Sequence, residues 1–137
     1  MERTLTILKP DSVAAGRVGA ILAHLEREGF RFCAMKRVRL SPEQARAFYA
    51  VHRDRPFYDA LVKFMTEGPV VVVALERSDA VSHLRRTMGA TDSRKAEPGT
   101  VRQLHGTDIE RNAIHGSDSP ENAAKEVSFF FSESELI

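Results

Sequence analysis

The chain has 137 residues, 42% hydrophobic and 28% charged, enough for one domain with a real core but not for two comfortable ones, and no tract has the composition of a disordered segment. A formal net charge of +1 gives no global attraction to nucleic acid or to an anionic membrane, so an anionic ligand would have to meet cations concentrated locally. The single Cys33 excludes an internal disulfide and makes a cysteine-based zinc site implausible; no apolar run approaches a membrane span, and a cytoplasmic location is expected.

Residues 4–8 (TLTIL) alternate β-branched and apolar side chains and read as a strand. Lys9-Pro10-Asp11-Ser12 stops it, because proline restricts the residue before it and lacks an amide donor. A helix is predicted over residues 18–28. Val18, Ile21, Leu22 and Leu25 fall at i, i+3, i+4 and i+7 on one stripe, and Gly29 ends it. Residues 30–40 read as a strand with one face near water, given Arg31, Lys36, Arg37 and Arg39, and Cys33 reads as a buried strand thiol.

Ser41-Pro42-Glu43-Gln44 is a capping box with proline at the first helical position. Its helix should carry Ala45, Phe48, Tyr49 and His52 on one side, until residues 53–56 (RDRP) break it. A short helix over residues 58–67 packs through Leu61, Val62, Phe64 and Met65. After Gly68-Pro69, residues 70–75 (VVVVAL) form the most strand-like stretch. They do not alternate, so both faces of that strand should be covered. A single layer of helices covers one face only, so the second calls for further helices or another subunit. Asp79 can cap a helix carrying Ala80, Val81, Leu84 and Met88.

Residues 89–112 lack periodicity and read as a long loop, a feature usually functional or disordered. A short strand follows around His115. Ser119-Pro120-Glu121 then opens a last helix that uses Ala123, Ala124, Val127, Phe130 and Phe131, and residues 132–137 are expected to be loosely held. Split βαβ patterns of this kind favour an α+β sandwich around an antiparallel sheet.

The chemistry concentrates at the ends of these elements. Lys9 ends the first strand, Arg85 lies near the end of the helix that follows the third strand, Thr91 stands just past it, and Arg102 follows Pro98-Gly99-Thr100. Together with His115 they suggest a pocket for phosphate or carboxylate, which an arginine fork binds bidentately. An imidazole there can serve as nucleophile, general base or metal ligand, and Gly116 beside it removes a Cβ and lets a ligand approach. No glycine-rich phosphate loop, dinucleotide fingerprint, zinc-protease motif or serine-hydrolase elbow is present, so side chains would have to hold the phosphates.

Lys9-Pro10-Asp11, His52-x-x-x-Pro56-Phe57, Pro98-Gly99-Thr100-Val101-Arg102 and Asn112-x-x-His115-Gly116-Ser117-Asp118 together resemble nucleoside diphosphate kinase, in order and over essentially the whole chain. The resemblance implies one domain over residues 1–137 with a ferredoxin-like α+β fold, a four-stranded antiparallel sheet with helices on one face. It implies a ping-pong reaction in which a nucleoside triphosphate, usually ATP, phosphorylates His115 and a nucleoside diphosphate takes up the phosphoryl group. Lys9, Arg85 and Arg102 would meet the phosphates, with Mg²⁺ carried by the nucleotide rather than by a protein metal site. Tyr49 and His52 would point into the site, Thr91 would contact phosphate, Asn112 and Lys9 the ribose hydroxyls, and Glu126 would orient the histidine. Phe57, Leu61 and Ile109 would hold the base between apolar surfaces without edge hydrogen bonds, which implies broad base tolerance. A tetrameric or hexameric homo-oligomer is also implied, whereas nucleic acid is not indicated.

The chain departs from the family pattern at Ser12, where glycine is usual, at Ala14-Ala15, which lack a basic residue, at Ala90, often acidic, and at Gln103-Leu104-His105, where Gly-Asp-Phe is common. None of these is a catalytic position. A non-catalytic nucleotide-binding module on the same fold is the alternative. Joint retention of Lys9, Tyr49, Arg85, Arg102, Asn112, His115 and Glu126 favours the enzyme.

Overall fold

The computed structural model describes residues 1–137. Four strands, β1 (Glu2–Leu8), β2 (Arg31–Val38), β3 (Val70–Arg77) and β4 (Ile114–Gly116), form one sheet in the order β2-β3-β1-β4. All neighbours are antiparallel. The helices are α1 (Pro10–Ala14), α2 (Val18–Arg27), α3 (Pro42–Phe48), α4 (Tyr58–Met65), α5 (Ala80–Met88), α6 (Val101–His105) and α7 (Pro120–Phe130). This is the expected α+β sheet. No helix is long and apolar enough to cross a membrane.

Side chains of β1 and β3 alternate between two separate cores. Leu5, Ile7, Val70, Val72 and Ala74 pack with Ala45 of α3, Val62 and Met65 of α4, and Val127 of α7. Leu8, Val71, Val73 and Leu75 pack with Ile21 and Leu25 of α2 and with Ala80, Leu84 and Met88 of α5. Each fully buried Leu, Ile or Val contributes about 1.5–3 kcal/mol. The unbroken apolar run of β3 thus reflects cover on both faces, and this corrects the expectation of helices on one face alone. The second face is closed by α2 and α5 of the same chain, so it supplies no argument for another subunit.

Local signals explain most element ends. Ser41 forms its capping box with Gln44, and Ser119 caps α7 by accepting from the Asn122 amide, with Pro120 at the first position. Gly29, at φ 87°, follows α2 and makes the left-handed turn that an L side chain resists.

Six expectations change. The helix that Ser41 opens ends at Phe48 instead of running to residues 53–56, so Tyr49 is its C-cap and His52 lies in a separate 3₁₀ turn at Ala50–His52. Asp79 stands at the N-cap of α5 but makes no capping bond; the Glu2 carboxylate instead accepts the Val81 amide at 2.7 Å. The predicted loop over residues 89–112 contains a 3₁₀ turn at Ser93–Lys95 and all of α6, because Asp92 and Thr100 cap them. Lys9-Pro10 ends β1 yet also starts α1, proline being suited to a first helical turn. Ala124 is exposed. The tail is tied down, since the Ile137 amide donates to the Cys33 carbonyl and a 3₁₀ turn at Glu133–Glu135 carries its own capping box.

Candidate active site

Pairing of β4 against β1, with Ile7 opposite His115, brings the histidine beside the end of the strand that carries Lys9. A cavity of about 730 Å³ opens there. All twelve residues singled out from sequence line it, supplied by β1, α3 and the turn after it, α4, α5, the loop over residues 89–112, β4 and α7.

His115 is the centre of a polar chain. Its Nε2 lies 2.8 Å from Oε1 of Glu126 on α7, and Ser117 Oγ donates to that same oxygen at 2.8 Å. A carboxylate oxygen only accepts, so Nε2 carries the proton and Nδ1 keeps its lone pair. Phe48 meets the imidazole edge-on at 5.4 Å between ring centroids, and Tyr49 does so at 6.0 Å. The Tyr49 hydroxyl is buried without a protein partner, and burial, with Glu126 adding, pushes its pKa well above the usual range.

Backbone carbonyls hold Arg102, and the Asn112 side chain holds Lys9. Arg102 of α6 donates from Nη1 to the Gly89 carbonyl at 3.1 Å and from Nη2 to the Ile114 carbonyl at 2.8 Å. Burial and the charge of Arg85 bring its pKa down to about 10. Lys9 is 7% exposed, and its Nζ donates to Asn112 Oδ1 at 2.7 Å. Burial, with Arg102 adding, pulls the Lys9 pKa to about 7. Asn112 also donates to the carbonyls of Thr91 and Ile109, at 2.9 and 3.2 Å, and so ties the long connection to the cavity floor.

The opposite end is apolar. Phe57 is 49% exposed and Ile109 59%, so neither is committed to the core; with Leu61 they line the mouth, and His52 packs 5.4 Å from Phe57. The cavity therefore offers a cationic floor, a nucleophilic imidazole and an apolar mouth. That combination suits a ligand with a polyphosphate at one end and a flat ring at the other.

Sequence reasoning missed Ser117 and Phe48 as parts of this site. Ser117 stands two residues after His115 in extended chain, so the period of two could have placed both side chains on one face. The sequence places Phe48 on the helix face shared with Tyr49, and nothing in sequence brings that face to His115. Gly116 needs a different reading. A Cβ there would lie 2.7 Å from Met88 Sδ and 2.9 Å from Leu84 Cδ2, so the missing side chain admits α5 and not a ligand.

The family model for nucleoside diphosphate kinase matches residues 2–136. The nucleoside diphosphate kinase of Persephonella marina is 50% identical over all of this chain and 98% of its own length, and that of Chlorobium limicola is 54% identical with the same coverage. Among solved structures, the Aquifex aeolicus nucleoside diphosphate kinase superposes with a TM-score of 0.97 at 49% identity, covering 99% of both chains. The Halobacterium salinarum enzyme, solved in complex with CDP, gives 0.95 at 42% identity, covering 99% of this chain and 91% of that one. Full-length agreement at this identity, together with the arrangement around His115, makes the chain an enzyme of the nucleoside diphosphate kinase family.

Proposed function

We propose that the protein transfers the γ-phosphoryl group of a nucleoside triphosphate to a nucleoside diphosphate through a phosphohistidine at His115. The observation that carries this is the Glu126–His115 contact at Nε2, which leaves Nδ1 as the nucleophilic nitrogen in a cavity that Lys9, Arg85 and Arg102 also line. The Nδ1–P bond forms as the bond from the γ-phosphorus to the bridging oxygen breaks, and the diphosphate leaves with that electron pair. A second diphosphate then reverses the step. Splitting the transfer lets one site serve donor and acceptor in turn.

Lys9, Arg85 and Arg102 offset the charge spread over the phosphate oxygens, and Thr91 offers a hydroxyl to them. Asn112 and Lys9 hold the ribose hydroxyls. Tyr49 and His52 close the wall between ribose and base. Phe57, Leu61 and Ile109 hold the base by its faces, which supports broad base tolerance. No three His, Cys, Asp or Glu side chains cluster as a metal site. Glu126 is engaged by His115 and Ser117, and Asp118 by Asn122. These residues fit an Mg²⁺ ion held chiefly by the nucleotide's own phosphates, with Asp118 and Glu110 the remaining carboxylates of the cavity wall. When bound, Mg²⁺ neutralises phosphate charge. One domain over residues 1–137, a cytoplasmic location and a homo-oligomer belong to this reading; the oligomer, a tetramer or hexamer, rests on family membership alone.

Incubation with ATP and Mg²⁺ is expected to give a single acid-labile phosphoryl adduct by intact mass, discharged by any common nucleoside diphosphate. Absence of the adduct would overturn the phosphohistidine route.

Proton balance gives a second expected result. Lys9, at about 7 instead of 10.5, is largely neutral in the free protein above pH 7, and bound phosphates restore its charge. Binding of a diphosphate at pH 8 should therefore take up a proton that is not taken up at pH 6. Calorimetry in two buffers of different ionisation enthalpy measures it, and Lys9→Met should remove the uptake. A pH-independent proton balance would contradict the assignment.

A further inference from the structure

Ala113 is a non-glycine residue held at φ 77° and is fully buried, one residue after Asn112 and two before His115. The Ile114 amide donates to the Asn112 carbonyl at 2.9 Å, closing a three-residue γ-turn of the rare positive-φ kind around it. Such a conformation persists only where its surroundings over-determine it. Here one short segment does so from both sides. The Ala113 carbonyl accepts from the Lys9 amide at 2.9 Å and from Ser12 Oγ at 2.9 Å. The Ala113 amide, turned away from every backbone acceptor, donates to Asp11 Oδ2 at 3.1 Å. The turn sets the angle between Asn112, which holds Lys9 Nζ, and Ile114, which holds Arg102 and leads into His115.

We infer that Asp11 is a positioning residue: its carboxylate holds Ala113 in the left-handed turn and thereby fixes His115 relative to Lys9 and Arg102. Asp11 touches no reacting group in this scheme. Its role rests on the phosphohistidine reading for its kinetic consequence, but the hydrogen bond to Ala113 can be tested without it. Without the carboxylate the buried Ala113 amide has no acceptor, and the turn loses the contact that favours φ 77° over the ordinary negative range. Ser12 fits the same account: where glycine is usual in the family pattern, its hydroxyl here adds a second donor to the Ala113 carbonyl.

Replacing the strained alanine by glycine removes the Cβ conflict and lets the turn form unaided, which yields a rescue that a general folding defect would not show. Asp11→Ala should lower kcat for phosphoryl transfer by about tenfold or more with KM changed much less, because misplacement of the nucleophile costs chemistry before binding. Asp11→Asn, which keeps an acceptor oxygen, should stay near wild type. The double variant Asp11→Ala with Ala113→Gly should recover most of the loss. Unchanged kcat in Asp11→Ala, or a double variant as slow as the single one, would overturn the inference. Amide hydrogen exchange at Ala113 gives the independent readout: faster exchange in Asp11→Ala supports the clamp, equal exchange refutes it, whether or not the wild type forms an adduct. A wild type without adduct refutes only the phosphohistidine reading.

Discussion

His115→Ala is expected to abolish phosphoryl transfer, with a loss on the order of 10⁴-fold or more, while leaving the fold in place. Nothing else in the cavity can take its part. Cys33 is buried in β2, and the other histidine on the cavity wall, His52, ends the 3₁₀ turn Ala50–His52 at the apolar end, against Phe57. The backbone of β4 remains paired with β1 whatever the side chain, and Glu126 keeps Ser117 as a donor, so unfolding free energy should change by about 1 kcal/mol or less. Intact mass after incubation with ATP and Mg²⁺, beside a thermal melt, separates the two effects. An adduct on the variant equal to that of wild type would place the phosphoryl group elsewhere.

Arg102→Ala should cost both activity and stability. Arg102 is 7% exposed, and its guanidinium satisfies the carbonyls of Gly89 and Ile114, which join the end of α5 to the start of β4. Truncation leaves the buried Ile114 carbonyl and the partly buried Gly89 carbonyl unpaired, a cost of about 2–4 kcal/mol. The melting temperature should fall by roughly 5–15 °C. It also removes one of three basic side chains that line the cavity, so nucleotide affinity should drop as well. Arg102→Lys keeps the charge but cannot reach two carbonyls at once, and should recover binding more than stability. Thermal melts and diphosphate titrations of both variants check this, and a melt unchanged in Arg102→Ala would refute the structural half.

The contrast between these two residues shows what was legible in the sequence. His115 and Arg102 were both named from motif spacing, but only the structure distinguishes a side chain that works into open space from one that also fastens the scaffold. Periodicity locates β1 and α2, and an unbroken apolar run locates β3, because each pattern is imposed by the core the element faces. It failed over residues 89–112, where α6 is one turn and a half long and its start is set by the Thr100 cap and not by a stripe. It failed at Asp79 for a related reason: the residue has the right chemistry for a cap, but at φ 51° its side chain makes no capping bond, and the acceptor comes from Glu2 across the fold. The reach of Phe48 to His115 was likewise invisible, since it depends on how α3 sits on the sheet.

The ties between Lys9 and Asn112, Asp11 and Ala113, and Ser12 and Ala113 span 103, 102 and 101 positions. Contacts this distant cost more loop-closure entropy than local ones and are made only when both ends of the chain are in place. The catalytic geometry is therefore a product of the completed topology and not of any hairpin or helix within it. Neither end of the chain carries the site alone: residues 9–12 and residues 112–113 must both be in place.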